Sequence, residues 1–276
     1  MIVGVTGSTG MIGMALCDYL RRHGHTAVAI FRNDTSFVVP QKLDAVVHLA
    51  GESIATGRWS EIKKTKIHDS RVLGTRNLVA VLKKLPSPPK VFLSASAVGI
   101  YGDRGEEELS ESSPLGGDFL AGVAKDWEAE AQIEGIRCIQ ARFGIVLSPH
   151  GGALKKMLPL FKVGLGAVFG SGRQYLSWIS LTDAVRALDH LLQSDAQGAY
   201  NITSPTPLTN KAFSEKLAAL CLRKIRFTIP RYLIELFLGE ASCVLLSSQR
   251  AFPVKLLASG FTFQDPEFIT SLAAKD

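Results

Sequence analysis

The sequence predicts an α/β protein built on a doubly wound parallel sheet, with a smaller, mainly helical C-terminal lobe. Three observations predict it. A glycine-rich turn, Gly7-Ser8-Thr9-Gly10-Met11-Ile12-Gly13, separates a short apolar run from a helical pattern. Strand-like and helix-like segments then alternate as far as Arg142, the pattern of a parallel sheet with helices on both faces. Beyond Ser148 the chain turns glycine-rich and then runs through apolar helical segments.

The elements can be justified in order. Met1 to Val5 has no basic stretch before an apolar core, so it reads as a buried strand and not a signal peptide. From Met11, the residues Ile12, Ala15, Leu16, Tyr19 and Leu20 recur at helical spacing, and Arg21 to Gly24 close the helix. "HTAVAIF" (25–31) is a second strand. Strand, glycine turn, helix and strand make a dinucleotide-binding unit of the Rossmann type. Gly7 permits the tight turn, Gly10 lets backbone approach a pyrophosphate, and Gly13 lets the helix pack closely on the sheet. Thr9, Met11 and Ile12 complete the turn, where unpaired N–H groups and the helix dipole favour phosphate. The spacing is G-x-x-G-x-x-G, so its position between strand and helix carries the reading, not the glycines alone.

The end of the second strand selects the cofactor. An acidic residue there would bond a ribose 2′-hydroxyl and favour NAD. This chain has Ile30-Phe31-Arg32-Asn33, and Arg32 is suited to a 2′-phosphate. The expected cofactor is therefore NADP; Asp34, two residues on, is the acidic alternative.

"DAVVHLA" (44–50) is a third strand, and residues 59–85 form a long amphipathic helix stopped by "PSPP". "KVFLSAS" (90–96) is a fourth strand, 119–134 a helix and "IRCIQAR" (136–142) a fifth strand. Ligands of such sheets bind at the carboxyl ends of the strands. That places Leu49, Ala50, Gly51 and Glu52, after the third strand, and Ser94 and Ser96, after the fourth, near the cofactor. Residues 181–192 are helical, and "GAYNITS" (198–204) is a strand that rejoins the sheet. Residues 208–222, 230–238 and 242–250 read as apolar helices. The resulting division assigns 1–147 and 178–204 to nucleotide binding, and 148–177 and 205–276 to a substrate lobe.

Composition narrows the function classes. The 276 residues carry a net charge of +6, with 46% hydrophobic and 20% charged residues, as in an ordinary globular protein. Basic clusters such as Lys63-Lys64-Thr65-Lys66 and Arg223-Lys224-Ile225-Arg226 are small, scattered and free of interleaved aromatics. They predict no nucleic-acid partner. No apolar run is long enough for a bilayer. Four isolated cysteines (Cys17, Cys138, Cys221, Cys243) show no C-x-x-C spacing and fit a reducing cytoplasm. No histidine spacing suggests a metal. The expectation is a cytoplasmic monomer or homodimer, without metal or membrane anchor.

The sequence resembles the short-chain dehydrogenase/reductase superfamily (SDR), in its extended or atypical branch. It is most similar to the nucleoside-diphosphate-sugar epimerase family of that branch. The resemblance lies in TGSTGMIG (6–13), HLAGESIATGRW (48–59), DSRVLGTRNLV (69–79), SASAVGIYG (94–102) and DFLAGVAKDWE (118–128). It continues through the glycine-rich segment 151–179 and the tail 239–261. It implies a Rossmann-type domain with a small C-terminal lobe, NADP as cofactor and a small, hydroxylated substrate such as a nucleotide sugar. Arg71 resembles a cofactor-contacting arginine of the family; as a surface residue it would pair with Asp69 or Glu61. Where the family has histidine in W-I-H-I-x-D, this chain has Ser180, so that histidine's role does not carry over.

In the wider superfamily a tyrosine exchanges the proton, a lysine four residues later binds the ribose and lowers the tyrosine pKa, and a serine bonds the substrate oxygen. Here Ser96 matches the serine and Lys125 the lysine, but Ala121 stands at the tyrosine. Tyr101 is a candidate for a relocated acid. Lys125 serves either the cofactor or a surface pair with Glu128 or Asp126. Glu52 is expected to cap its loop, Trp59 and Trp178 to pack, and Lys155, Lys156 and Arg173 to meet either a substrate anion or solvent. The pattern leaves two functions open: an NADP-dependent oxidoreductase or epimerase, and a non-catalytic NADP(H)-binding sensor or interaction protein.

Overall fold

The computed structural model describes residues 1–33, 36–55 and 57–268. Its centre is a six-stranded parallel sheet. The strands are β1 (Ile2–Thr6), β2 (Thr26–Ala29), β3 (Ala45–His48), β4 (Val91–Ala97), β5 (Arg137–Phe143) and β6 (Gly198–Ile202). Their spatial order is β6-β5-β4-β3-β1-β2. Chain direction across the sheet therefore reverses between β1 and β3, and a crevice opens there at the carboxyl ends. The strands are apolar on both faces, as doubly covered strands must be; every residue of β3 is buried.

Seven helices are named here: α1 (Met11–Arg22), α2 (Glu61–Leu82), α3 (Phe119–Glu130), α4 (Gly152–Lys162), α5 (Leu181–Gln193), α6 (Asn210–Leu220) and α7 (Arg231–Leu238). α1 packs beside α5, and α2 beside α3. Leu16 and Leu20 of α1 join Leu188 and Leu191 of α5 against Val3, Val5 and Ile139. Leu78, Val79 and Leu82 of α2 close on Val46 and Phe92. Burying side chains of this size contributes about 1.5–3 kcal/mol each. A separate cluster joins Leu154 and Phe161 of α4 to Phe213 and Leu217 of α6 and to Trp178.

Four helices begin on side-chain caps: Ser60 for α2, Asp118 for α3, Ser180 for α5 and Thr209 for α6. Ser180 accepts from the Asp183 N–H, which explains the serine in the family's histidine position as a cap. Asp183 is fully buried. Its carboxylate accepts from Arg186 Nη1 at 2.6 Å, from Gln264 N at 3.0 Å and from Asp265 N at 2.8 Å.

Some sequence expectations need correction. The second strand stops at Ala29; Phe31–Arg32 instead pairs antiparallel with Phe37–Val38. Asp34, the acidic alternative to Arg32, lies outside the described residues. The helix expected over 242–250 is helical only at Cys243–Leu246, and Arg250–Ala251 is a short strand beside Glu108–Leu109. Ser247 and Gln249 are thereby freed to line a cavity.

β1 and β3 are fastened where they part. Thr6 Oγ1 accepts from Leu49 N at 3.1 Å and Ala50 N at 3.3 Å, and lies 2.7 Å from His48 Nδ1. With both lone pairs taken, the hydroxyl donates to Nδ1, so His48 is the neutral Nε2–H tautomer. Its Nε2 is buried without a partner. Burial pushes the imidazole from its ordinary 6.5 down to about 4. Between those two values the unfolded chain binds the extra proton, so stability present above pH 6.5 is lost as the pH falls towards 4, by about 3 kcal/mol. Urea denaturation at pH 7.5 and 4.5 checks this: His48→Gln should flatten that part of the wild-type pH dependence, and an unchanged slope in the variant would refute the assignment.

Candidate functional site

The glycine turn lies at the crevice because side chains are missing where backbone must pass. Gly7 has a φ of +65°, and a Cβ on it would sit 2.9 Å from Ala50 N. A Cβ on Gly13 would overlap the Gly7 carbonyl. Gly10 N donates to Gly7 O at 2.9 Å, closing the turn. Unlike the four capped helices, α1 has no side-chain cap and no acid in its first turn. Its leading N–H groups are thus left for an anionic ligand.

Two cavities flank this turn. The smaller, about 300 Å³, is lined by Gly7, Ser8 and Thr9, by Ala50 and Gly51, and by Arg32. The larger, about 420 Å³, begins at Met11, Ile12 and Arg71 and runs past Ala95–Gly99 to α3 and to Cys243, Val244, Ser247 and Gln249. Arg71 donates through Nη1 to Glu52 O at 2.9 Å and Ile67 O at 3.2 Å. Its guanidinium carbon lies 5.3 Å from the Trp127 ring centre. Burial lowers its pKa, while Glu52 works the other way. Arg71 therefore pairs with backbone and ring, not with Asp69 or Glu61.

Of the residues expected at the cofactor, Gly7, Thr9, Arg32, Ala50 and Gly51 meet in the smaller cavity, and Met11, Ile12 and Arg71 in the larger. Gly10 and Gly13 shape the turn between them. Leu49 contributes backbone; its side chain packs on the core. Ser94 is fully buried, and its hydroxyl donates to Ala95 O at 3.2 Å. It lines neither cavity: alternation puts Ser94 on the same face as Ser96, but it lies two residues deeper in the strand, beside His48 of β3, and only Ser96 reaches the opening at the carboxyl end.

The catalytic expectation changes more. Ser96 lines the larger cavity and donates to Glu128 Oε1 at 2.6 Å. Glu128 is held by Arg142 through two bonds of 2.8 Å, Nε to Oε1 and Nη2 to Oε2. Glu128 is therefore not a partner for Lys125. Tyr101 lies outside the cavity and is fully buried. Its hydroxyl donates to Asn201 Oδ1 at 2.8 Å and accepts from Arg142 Nη1 at 2.9 Å. Burial, offset in part by Arg142, raises its pKa above 10. It is a structural member of a buried network, not an acid facing a ligand.

Lys125 is exposed on the outer side of α3. The face turned to the cavity carries Leu120, Val123, Ala124 and Trp127. Leu120 and Ala124 have the four-residue spacing of the superfamily's tyrosine and lysine. One residue of helix is a rotation of about 100°, which puts Ala121 and Lys125 off this face. Neither dyad residue lies on the cavity face of α3.

Glu52 pairs with Lys63 at 2.5 Å, and that bond lowers its pKa. Its backbone N–H donates to Ser70 Oγ, so Glu52 pins its loop to α2. Trp59 and Trp178 pack against Phe119 and Phe268. Lys155, Lys156 and Arg173 are exposed and absent from the larger cavity. Sequence reasoning missed Cys243, Ser177 and Gln249 in the cavity wall. No periodicity marks them, since Cys243 opens a single-turn helix, Ser177 lies between two short strands and Gln249 directly precedes a third. Among the described residues, no group of His, Cys, Asp and Glu could hold a metal, and no helix is long and apolar enough to cross a membrane.

Residues 3–203 match the NAD dependent epimerase/dehydratase family. The chain belongs to that family. Residues 229–274 match a domain of unknown function, DUF1731. The family protein Mb2239 of Mycobacterium bovis is 40% identical over 282 residues, covering 95% of this chain and 93% of its own. The crystal structure of human epimerase family protein SDR39U1 with NADPH superposes with a TM-score of 0.93 at 31% identity, covering 99% of this chain and 98% of that one. The nucleoside-diphosphate sugar epimerase of Corynebacterium glutamicum gives a TM-score of 0.80 at 31% identity, covering 99% of this chain and 57% of that one. In this member of the family the crevice geometry is intact, and the cavity face of α3 is apolar.

Removing the Tyr101 hydroxyl separates structure from catalysis. Tyr101→Phe should cost about 1–3 kcal/mol of stability by leaving buried partners unbonded. Nucleotide affinity should stay unchanged, as read by urea denaturation beside calorimetry; weakened nucleotide binding at wild-type stability would contradict the placement.

Proposed function

We propose that this protein is an NADP(H)-dependent oxidoreductase or epimerase-type enzyme acting on a small hydroxylated substrate or its carbonyl counterpart. The observation that carries it is the cavity of about 420 Å³ continuing from the glycine turn past Ser96. The dinucleotide would fill the end of this cavity at Met11, Ile12 and Arg71, and the stretch past Ser96 towards Val244 and Gln249 would take the substrate. The NADPH in the human relative's structure supports the cofactor. Residues 1–147 and 178–204 form the nucleotide domain in this reading, with 148–177 and 205–276 as the substrate lobe. The four free cysteines suit a cytoplasmic location.

The turn 7–13 and the N–H groups of α1 would hold the pyrophosphate, Arg32 the 2′-phosphate, and Arg71 the part of the dinucleotide that enters the larger cavity. NADPH in this position supplies hydride chemistry. The chain's own part is centred on Ser96. Its hydroxyl hydrogen is committed to Glu128, so towards a ligand Ser96 can only accept. It would bind a substrate hydroxyl, and a proton leaving that hydroxyl has a path through Ser96 to the Glu128 carboxylate.

A second reading, non-catalytic NADP(H) binding, has one specific observation in its favour: Leu120 and Ala124 at the dyad spacing. Calorimetry with NADPH and NADH tests the part shared by both. NADPH should bind far more tightly, and Arg32→Ala should lose about tenfold or more for NADPH alone; equal loss for both nucleotides would remove Arg32 from the 2′-phosphate. A panel of secondary alcohols with NADP⁺ then separates the readings. Turnover that falls about a hundredfold in Ser96→Ala, with NADPH affinity kept, supports the enzyme; no turnover across the panel supports the binding protein.

A further inference from the structure

Resting on the nucleotide-site reading above, we infer that the larger cavity takes an uncharged, predominantly apolar alcohol, and not a nucleoside-diphosphate sugar. Beyond the nucleotide end, its walls are built by Ile54, Leu120, Val123, Phe143, Val146 and Val244. Most of the polar side chains in the lining are already bonded within the protein; the exceptions are the Ser247 hydroxyl and the buried Trp127 Nε1–H, both uncharged. Ser96 donates to Glu128. Ser177 Oγ donates to Gln249 O at 2.8 Å and accepts from Ala251 N at 2.8 Å. Gln249 Nε2 donates to Gly102 O, and Asp118 Oδ1 accepts from Ala121 N. Burial, reinforced by the neighbouring Asp118 carboxylate, raises the Cys243 thiol to about 11, so the thiol is neutral. Asp118, the one acidic side chain of the lining among the described residues, disfavours an anion further.

A diphosphate needs cations or unpaired N–H groups to replace its water. Among the described residues, Arg71 is the one cationic side chain lining this cavity. It stands at the nucleotide end and is shared with the carbonyls of Glu52 and Ile67. Another cavity, of about 430 Å³, contains Arg173 and Arg231 but also Asp103 and Glu106. Arg231 is further paired with Glu235 at 2.7 Å. A second diphosphate there would meet carboxylates beside its arginines. An apolar body with one hydroxyl fits the larger cavity instead: its hydroxyl meets the acceptor Ser96, and its remainder meets the aliphatic and aromatic walls.

The test uses the NADPH complex, in which an alcohol probe has no oxidant and binding is read alone. NADPH affinity is measured first, then 4-phenyl-2-butanol and UDP-glucose are titrated with calorimetry and tryptophan emission as readouts. The alcohol should bind at least about tenfold more tightly than UDP-glucose. It should perturb an emission component lost in Trp127→Phe. Leu120→Glu and, on the opposite wall, Val244→Glu should each weaken the alcohol about tenfold or more while NADPH binding persists. Tighter binding of UDP-glucose, or no binding of either probe to a complex that holds NADPH, would overturn the inference and leave the nucleotide site standing. Absence of NADPH binding would overturn both.

Discussion

The site depends on the closeness of β1 and β3 at the point where the chain reverses direction. Two groups make that approach possible. Gly7 leaves out a Cβ that would press on Ala50. Thr6 fills the remaining gap with one hydroxyl bonded to His48 and to two backbone N–H groups. Such a junction is selective. A charged imidazole could not accept from Thr6, and a larger side chain at position 7 would push the Ala50 loop away. Both cavities inherit their shape from this contact, because Ala50 and Gly51 wall one of them and α1 leads into the other.

The second determinant is the polar network behind Ser96. Glu128, Arg142, Tyr101 and Asn201 form a chain of short bonds linking α3, β5, β6 and the segment after β4. Burial opposes the charge on Arg142, but the bonds to Glu128 and Tyr101 outweigh it and hold the guanidinium ionised. A buried ion pair of this kind adds little net stability compared with apolar packing, yet breaking it is costly. Its effect here is geometric: it fixes the one hydroxyl of the fourth strand that reaches the cavity.

Much of this was legible in the sequence, and the reasons differ by element. The glycine turn could be read because its residues are required by backbone geometry. The strands could be read because double burial forces continuous apolar runs. Ser180 opens an S-x-x-D pattern that could have marked it as a cap, and the bond from Asp183 N shows that it is one. The register of α3 was misread because the sequence offers a lysine where one was sought, and a helix turns by a large angle per residue. Tyr101 failed for another reason. A tyrosine near a strand end is legible, but whether its hydroxyl faces a cavity or a buried asparagine is decided by β6, a hundred residues away. The cavity wall at 243–249 was hidden because an apolar, helix-forming stretch ends there only through tertiary pairing of Arg250–Ala251.

The carboxylate of Asp183 has an implication for how the chain is made. It is fully buried, and two of its three bonds come from the backbone of Gln264 and Asp265. Until those residues leave the ribosome, α5 carries a negative charge that must stay wet or rely on Arg186 alone. The sheet strands and their helices emerge earlier, so the nascent protein can collapse but cannot seal this side. Gln264 and Asp265 are translated after all six sheet strands, so the nascent chain closes this side of α5 only when they emerge.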